Sequence, residues 1–228
     1  IMSINRHAYR AIEAVVGKNY ITDDPADCEG YRSGPGGYES GTGYERIMTR
    51  LPGAIVMPRT TEDVQKIVKI CGRYGLPFVP YSTGFYGPRS HPHMDDELII
   101  DMKRMQHFEW DEKHMYADIG PGIVYSSLQQ EAFNKGCYGV IGGGGAQCSA
   151  IANLLGDGWS PISLKIGLPH RRILGTELVL PDGELVKMGS LANCDDPFWG
   201  EGPGPDLRCI LRGFTGLRGC LGIVTRMA

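Results

Sequence analysis

No two of the seven cysteines (Cys28, Cys71, Cys137, Cys148, Cys194, Cys209, Cys220) are spaced as CxxC, and seven is an odd number. That speaks against a disulfide framework and against a zinc or iron–sulfur knuckle. Free thiols suit a reducing compartment, so a cytoplasmic protein is expected. No apolar run approaches the roughly 18 residues of a membrane span, and the start lacks the apolar core of a signal peptide. Charge of neither sign dominates: 23 Lys and Arg face 26 Asp and Glu, a net charge of −3. Nothing in that balance favours nucleic acid or an anionic membrane as a partner. Two phosphate-binding loops are missing as well, the Gly-x-x-x-x-Gly-Lys-Ser/Thr loop and a Gly-x-Gly-x-x-Gly opening a helix.

What the sequence has in excess is glycine, 33 in 228 residues, about twice the usual share and without a collagen period. Many tight turns and close approaches of backbone to something bound are the expected consequence. Along the chain, "NRHAYRAIEAVVG" has helical spacing at Ala8, Ile12, Val15 and Val16 and ends at Gly17. Asp23 to Arg46 is polar, acidic and glycine-rich, and is expected to be a long irregular arm. "GAIVMP" reads as a buried strand. The helix "RTTEDVQKIVKICGRYG" follows it, with Thr60 as cap and Asp63 three residues on. "LPFVP" and "ELIIDM" are two further strands, completing a strand–helix–strand unit of parallel style.

The second half reads differently. "MYADIGPG" is a strand, "YSSLQQEAFNKG" a helix, and "YGVIGGGGAQCSAIANLLGDG" a strand running into four glycines. "RILGTELVLPDGELVKMG" is a hairpin turning at Pro181-Asp182-Gly183, "PDLRCILRGFTG" a helix, and "CLGIVTRM" a last strand. Domain boundaries follow: an N-terminal helix and arm over 1–50, a first lobe over 51–105 and a second over 106–228.

Two glycine segments carry the chemical interest. "FVPYSTGFYGPRS" places Gly84 and Gly87 among the hydroxyls of Tyr81, Ser82, Thr83 and Tyr86, directly after a strand. Backbone N–H groups in such a nest can hold a pyrophosphate without lysine; a plain surface turn is the alternative. Gly142 to Gly145 form the second segment. Four glycines in a compact domain are entropically costly unless a flat or extended ligand lies against the backbone, and a linker is the alternative. Asp95-Asp96-Glu97 reads as a solvated turn with no metal role.

These strings resemble the FAD-binding domain of the vanillyl-alcohol oxidase and p-cresol methylhydroxylase (PCMH-type) flavoprotein family, which includes glycolate oxidase-type FAD-linked dehydrogenases. "LPGAIVMPRTTEDVQKIVKICGRYGLPFVPYSTG", "DIGPG", "GGGGAQCSAIAN", "ILGTELVLPDGELVKMG" and "GLRGCLGIVT" occur in family order, covering Ile12 to Arg226. The resemblance implies an α+β fold of two α/β lobes, the first with a small parallel sheet and the second mainly antiparallel. It implies FAD between the lobes, with Pro80, Tyr81, Ser82, Thr83, Gly84, Phe85, Tyr86 and Gly87 at its pyrophosphate. Gly143, Gly144, Ser149, Ala150, Asn153 and Gly167 would run along the ribityl chain and ring, and Ile223 would meet the cofactor through its backbone.

Departures from the family pattern matter too. Tyr81-Ser82-Thr83 stands where an Arg-Gly-Gly is usual, and the aspartate used by the phenol-oxidising branch falls at Leu168. His170, two residues on and beside Arg171 and Arg172, is the nearest group able to move a proton near neutral pH. A structural or phosphate-facing role fits such a histidine better than catalysis. Cys148 could tether a flavin, but the pyrophosphate loop lacks the histidine that accompanies a tether before His91. FAD bound without a covalent bond is therefore expected.

The expected function is an FAD-dependent oxidoreductase or its flavin subunit. Hydride would pass from a phenolic or benzylic alcohol or a 2-hydroxy acid to FAD and on to an acceptor. The alternative is a non-catalytic flavin electron-transfer module in a larger complex. The sequence stops at Met227-Ala228, three residues after "LGIVT". A second polypeptide or a further C-terminal domain is expected to cover the flavin and to pair the exposed edge of the last strand.

Overall fold

In a computed structural model, residues 4–32, 51–84, 92, 94, 96–139, 141–155, 160–167, 172–194 and 221–228 are described. The chain divides into two compact units, Ile1–Arg104 with Pro181–Glu184, and Met105–Leu180 with Leu185–Ala228.

The first unit starts with helix α1 (Arg6–Val16). The Asn5 side chain caps it by accepting from His7 and Ala8 N–H, and Ala8 and Ile12 are its buried face. Strand β1 (Ile21–Thr22) and a short helix α2 (Pro25–Glu29) follow. This α2 corrects the expectation of an irregular arm in its first part. Asp24 accepts from Ala26 N–H and Pro25 takes the first helical position, where its missing N–H costs nothing. The rest of that arm lies outside the described residues.

Strand β2 (Ala54–Val56) leads into helix α3 (Thr61–Tyr74). Thr60 Oγ1 accepts from Asp63 N–H while the Asp63 carboxylate accepts from Thr60 N–H, a reciprocal cap. Val64, Ile67, Val68 and Cys71 form the buried stripe of α3. Strands β3 (Phe78–Tyr81) and β4 (Leu98–Asp101) complete a sheet in the order β1-β2-β4-β3. The β2, β4 and β3 strands run parallel and β1 joins antiparallel. Central β4 is buried along its whole length, hence the continuous run Leu98-Ile99-Ile100. Pro80 is tolerated because β3 is an edge strand.

The second unit is an all-antiparallel sheet in the order β5-β6-β9-β7-β8. Its strands are β5 (Phe108–Asp111), β6 (Tyr116–Ile119), β7 (Gly175–Val179), β8 (Leu185–Gly189) and β9 (Ile223–Met227). Helix α4 (Tyr125–Asn134) follows β6, and helix α5 (Ala150–Leu155) follows the glycine run. Arg226 on β9 ties three strands together. Its Nε and Nη2 reach Asp118 on β6 at 2.5–3.0 Å, and its Nη1 reaches Glu177 on β7 at 3.3 Å. Those two buried carboxylates hold the guanidinium charged well beyond its ordinary range.

Three expectations need correction, and one strand was missed. The last strand leaves no exposed edge: β9 sits between β6 and β7 and pairs with both. The residues before the glycine run are not a strand, since Cys137–Gly139 and Ile141 have no ladder partner. Strand β5 went unread, although Phe108 and Trp110 alternate with Glu109 and Asp111; four residues are a short signal. The turn at Asp96-Glu97 is not simply solvated, because Glu97 is buried and accepts from Met94 N–H. The stretch "PDLRCILRGFTG" and Asp95 lie outside the described residues. Among the described residues, no helix is long and apolar enough to cross a membrane, and no cluster of His, Cys, Asp and Glu could hold a metal ion.

The cap on α3 gives a direct stability test. Thr60→Ala leaves the Asp63 N–H without its partner and is expected to lower unfolding free energy by about 1 kcal/mol. Denaturant titration measures it; an unchanged midpoint would show that the cap contributes nothing.

Candidate functional site

In the first unit the interest lies at the carboxyl ends of β3 and β4. Register places Tyr81 beside Asp101. Asp101 is wholly buried, and its carboxylate accepts from Tyr31 Oη at 2.5 Å and from Lys103 N–H at 3.0 Å. Lys103 Nζ pairs with the same carboxylate at 3.1 Å. The rings of Tyr31 and Tyr81 meet at a centroid distance of 4.9 Å, and the Lys103 ammonium lies 5.1 Å from each. Burial, reinforced by Asp101, pushes the Tyr81 phenol up to about 12. Burial and the hydrogen bond to Asp101 raise Tyr31 still more firmly out of range.

The loop leaves β3 at this point. Ser82 and Thr83 are half-buried and Gly84 is buried. Gly84 has a left-handed φ of +64°, and a Cβ there would fall on the Tyr81 hydroxyl. Both facts require glycine. Phe85, Tyr86 and Gly87, also expected in the loop, lie outside the described residues.

In the second unit the glycine run is an ordered pair of turns. Gly145 N–H donates to Gly142 O at 3.0 Å and Cys148 N–H to Gly145 O at 3.2 Å. Its exit is bound to the start of α4 through Tyr125 N–H to Cys148 O at 3.0 Å and Ser126 N–H to Ala146 O at 2.8 Å. The linker alternative does not fit such bonding. Gly142 is buried: a Cβ would lie 2.5 Å from Asn153 Oδ1 and 2.6 Å from the Tyr125 ring. Gly143 is exposed and Gly144 half-buried.

Of the other predicted residues, Ser149 is buried, and its hydroxyl donates to Pro121 O at 3.1 Å and accepts from Ala152 N–H at 3.3 Å. Ser149 therefore caps α5. Ala150 is buried in the first turn of α5, and Asn153 Oδ1 accepts from Tyr125 Oη at 3.0 Å. The structure thus gathers Gly142, Ser149, Ala150 and Asn153 into one neighbourhood. Ile223 is buried in β9 opposite Val179, and Gly167 is exposed at the end of a short helical turn. His170 lies outside the described residues. Cys148 is buried, which raises its thiol and makes it a poor nucleophile.

Sequence reading missed four residues that these neighbourhoods bring forward: Tyr31, Asp101 and Lys103 in one unit and Tyr125 in the other. Gln129, one turn beyond Tyr125 on the same buried face of α4, leaves both amide atoms without a partner among the described residues. The basic pair Lys103-Arg104 directly after "ELIIDM" and the Pro121-Gly122 turn before Tyr125 were the available signals.

The sequence model of a family described as an FAD binding domain matches residues 52–189. The chain belongs to the FAD binding domain family. This FAD binding domain is 27% identical over 177 residues to a glycolate oxidase subunit of Bacillus subtilis, covering 77% of the chain and 36% of that protein. It is 27% identical to a mitochondrial D-lactate dehydrogenase (cytochrome) of Arabidopsis thaliana, covering 78% of the chain and 30% of that relative. Among solved structures, 4-ethylphenol oxidase from Gulosibacter chungangensis superposes with a TM-score of 0.79 at 25% identity, over 97% of this chain and 41% of that one. p-Cresol methylhydroxylase superposes with a TM-score of 0.76 over 97% of this chain and 42% of its own, at 20% identity, a likeness of fold. The chain therefore spans about a third of the length of the curated relatives it matches. The expected PCMH-type fold is the fold observed, with a mixed sheet of three parallel strands and one antiparallel strand in one unit and an antiparallel sheet in the other.

Two outcomes test this geometry. Gly142→Ala forces its Cβ against Asn153 and Tyr125, and an overpacked core of this kind is expected to lose about 1–3 kcal/mol. An unfolding midpoint equal to wild type would show that the segment can shift freely. For Tyr81, folding raises the phenol's pKa, so its stabilising effect is complete below the unfolded value of about 10. That effect is lost as pH rises through about 12. Phenolate absorbance should show Tyr81→Phe removing a late-ionising group; loss of an early one instead would contradict the burial.

Proposed function

We propose that the chain is the flavin-holding part of an FAD-dependent oxidoreductase acting on a 2-hydroxy acid or a phenolic compound. The observation that carries this is the family match over residues 52–189, which contains both glycine segments. The named activities of the relatives support the substrate classes: glycolate oxidase and D-lactate dehydrogenase on one side, 4-ethylphenol oxidase on the other.

Local geometry fits a dinucleotide in both units. At the end of β3, Gly84 is held against Tyr81 with no side chain of its own, and a diphosphate is read as lying against the main chain of Ser82 to Gly84. At the glycine run, Gly142 is anchored on Asn153 and Tyr125 while Gly143 stands exposed. Main chain is thereby presented to a flat ring without intervening side chains. Ser149 has its hydroxyl committed to capping α5, so we assign it a positioning role. When bound, FAD supplies two-electron chemistry, accepting a hydride from an organic substrate and passing electrons to an acceptor. The chain's own contribution is to bind, to orient and to exclude water from the diphosphate.

We read the substrate-binding surface as lying on a further domain or partner, because the matched relatives are about three times longer than this chain. The cofactor is read as non-covalent because Cys148 is buried and raised.

Purified chain is expected to carry a flavin spectrum, and acid precipitation should leave the colour in the supernatant as FAD. Colourless protein that takes up no FAD would overturn the proposed function. Flavin retained in the pellet would overturn the non-covalent assignment alone.

A further inference from the structure

We propose that Lys103, from outside the glycine loop, supplies the positive charge that faces a bound dinucleotide's diphosphate at the ends of β3 and β4. The inference rests on the proposed function, since it requires a diphosphate at Ser82 to Gly84.

The starting observation is that Ser82, Thr83 and Gly84 carry no charge. A diphosphate set on backbone N–H groups alone would have dipoles but no counter-charge. Open parallel sheets bind ligands at the carboxyl ends of their strands, and here β3 and β4 end side by side at Tyr81 and Asp101. Two cations, Lys103 and Arg104, follow β4 after Met102. Arg104 is committed elsewhere: its Nη1 donates to Met57 O at 2.7 Å and its guanidinium lies 3.2 Å from the Tyr20 ring centroid. Lys103 points to the strand ends instead.

Lys103 is joined to the loop through Tyr81. Its ammonium lies over the Tyr81 ring at 5.1 Å, and the hydroxyl end of that ring occupies the space a Gly84 side chain would need. Lysine, tyrosine and loop glycine are one packed assembly. Asp101 and the Tyr31 ring hold the same ammonium from other directions. A lysine so placed has less rotamer freedom to lose when a ligand arrives.

The Asp101 carboxylate also accepts from Tyr31 Oη and from Lys103 N–H, so its negative charge is shared among three donors. The Lys103 side chain remains 46% exposed while Asp101 is wholly buried. A dianion arriving at the loop would meet this exposed, pre-positioned cation. Simple charge compensation of Asp101 is the competing role, and it makes no demand on ligand binding.

The test is equilibrium binding of FAD and of riboflavin, which lacks the diphosphate, to flavin-free 228-residue chain over a potassium chloride series. The proteins are wild type, Lys103→Met, Lys103→Gln and Lys103→Arg, each checked for a folded melting transition. Loss of one charge-assisted contact in a screened site should weaken FAD by about tenfold in Lys103→Met. The salt dependence should flatten, riboflavin binding should be unchanged, and Lys103→Arg should recover most of the FAD affinity. If Lys103→Met does not fold, Lys103→Gln is read by the same criteria. Wild-type FAD affinity and salt slope in the charge-removed variant overturn the inference and point to another cation, such as Arg89. Equal weakening of FAD and riboflavin overturns it in favour of a structural role. Failure of wild type to bind FAD at all overturns the proposed function and this inference with it.

Discussion

Asp101 is a carboxylate without solvent access at the end of a strand that is otherwise Leu-Ile-Ile. An unpaired carboxylate there would cost several kcal/mol, so its neighbours are constrained to satisfy it. Tyr31, brought in just after α2, gives its hydroxyl; Lys103, two residues past the end of the strand, gives a backbone N–H and an ammonium. The same requirement aligns the two tyrosine rings and leaves Tyr81 fixed under the loop that follows β3. Packing reinforces it, for Cys28, Ile55, Tyr81 and Ile99 form one buried cluster with Tyr31 and Val79 against it. The position of Tyr81 against Gly84 is tied to how one charge is buried.

The second unit reaches a similar result by other means. Its sheet depends on β9 entering between β6 and β7, with Arg226 bridging Asp118 and Glu177 across the three strands. Yet each unit seats a glycine of its candidate site against a tyrosine: Gly84 on Tyr81, Gly142 on Tyr125. In both cases a Cβ has no room, so the backbone is held close to an aromatic ring and kept free of side chains. Rigid support of this kind is what a binding surface made of main chain requires, because main-chain donors have no rotamers with which to adjust.

Membership of the FAD binding domain family connects these features to flavin chemistry, and the chain matches about a third of the length of its curated relatives. The division of labour that follows is physical. Glycine loops and strand ends can hold and orient a dinucleotide, while under the proposed function the choice of substrate needs side chains around a reacting carbon. His170, the residue the sequence suggests for proton movement, lies outside the described residues.

Local signals were legible wherever a residue's role is set by its near neighbours in sequence. Thr60 and Asp63 cap their helix as spacing implied; Val64, Ile67, Val68 and Cys71 form the stripe; Pro181-Asp182-Gly183 lies between paired β7 and β8. The parallel and antiparallel character of the two sheets was legible too, from the strand–helix–strand rhythm of one half and the hairpin of the other. What sequence alone could not determine were contacts between distant residues. Tyr31 and Asp101 are 70 positions apart, Arg226 and Asp118 are 108 apart, and no local pattern marks either pair. The last strand looked like a free edge because strand order is not written in strand sequence; only tertiary pairing put β9 in the middle of its sheet. The glycines were visible as glycines, but that Gly84 and Gly142 must be glycine was decided by Tyr81, Tyr125 and Asn153 occupying the space beside them.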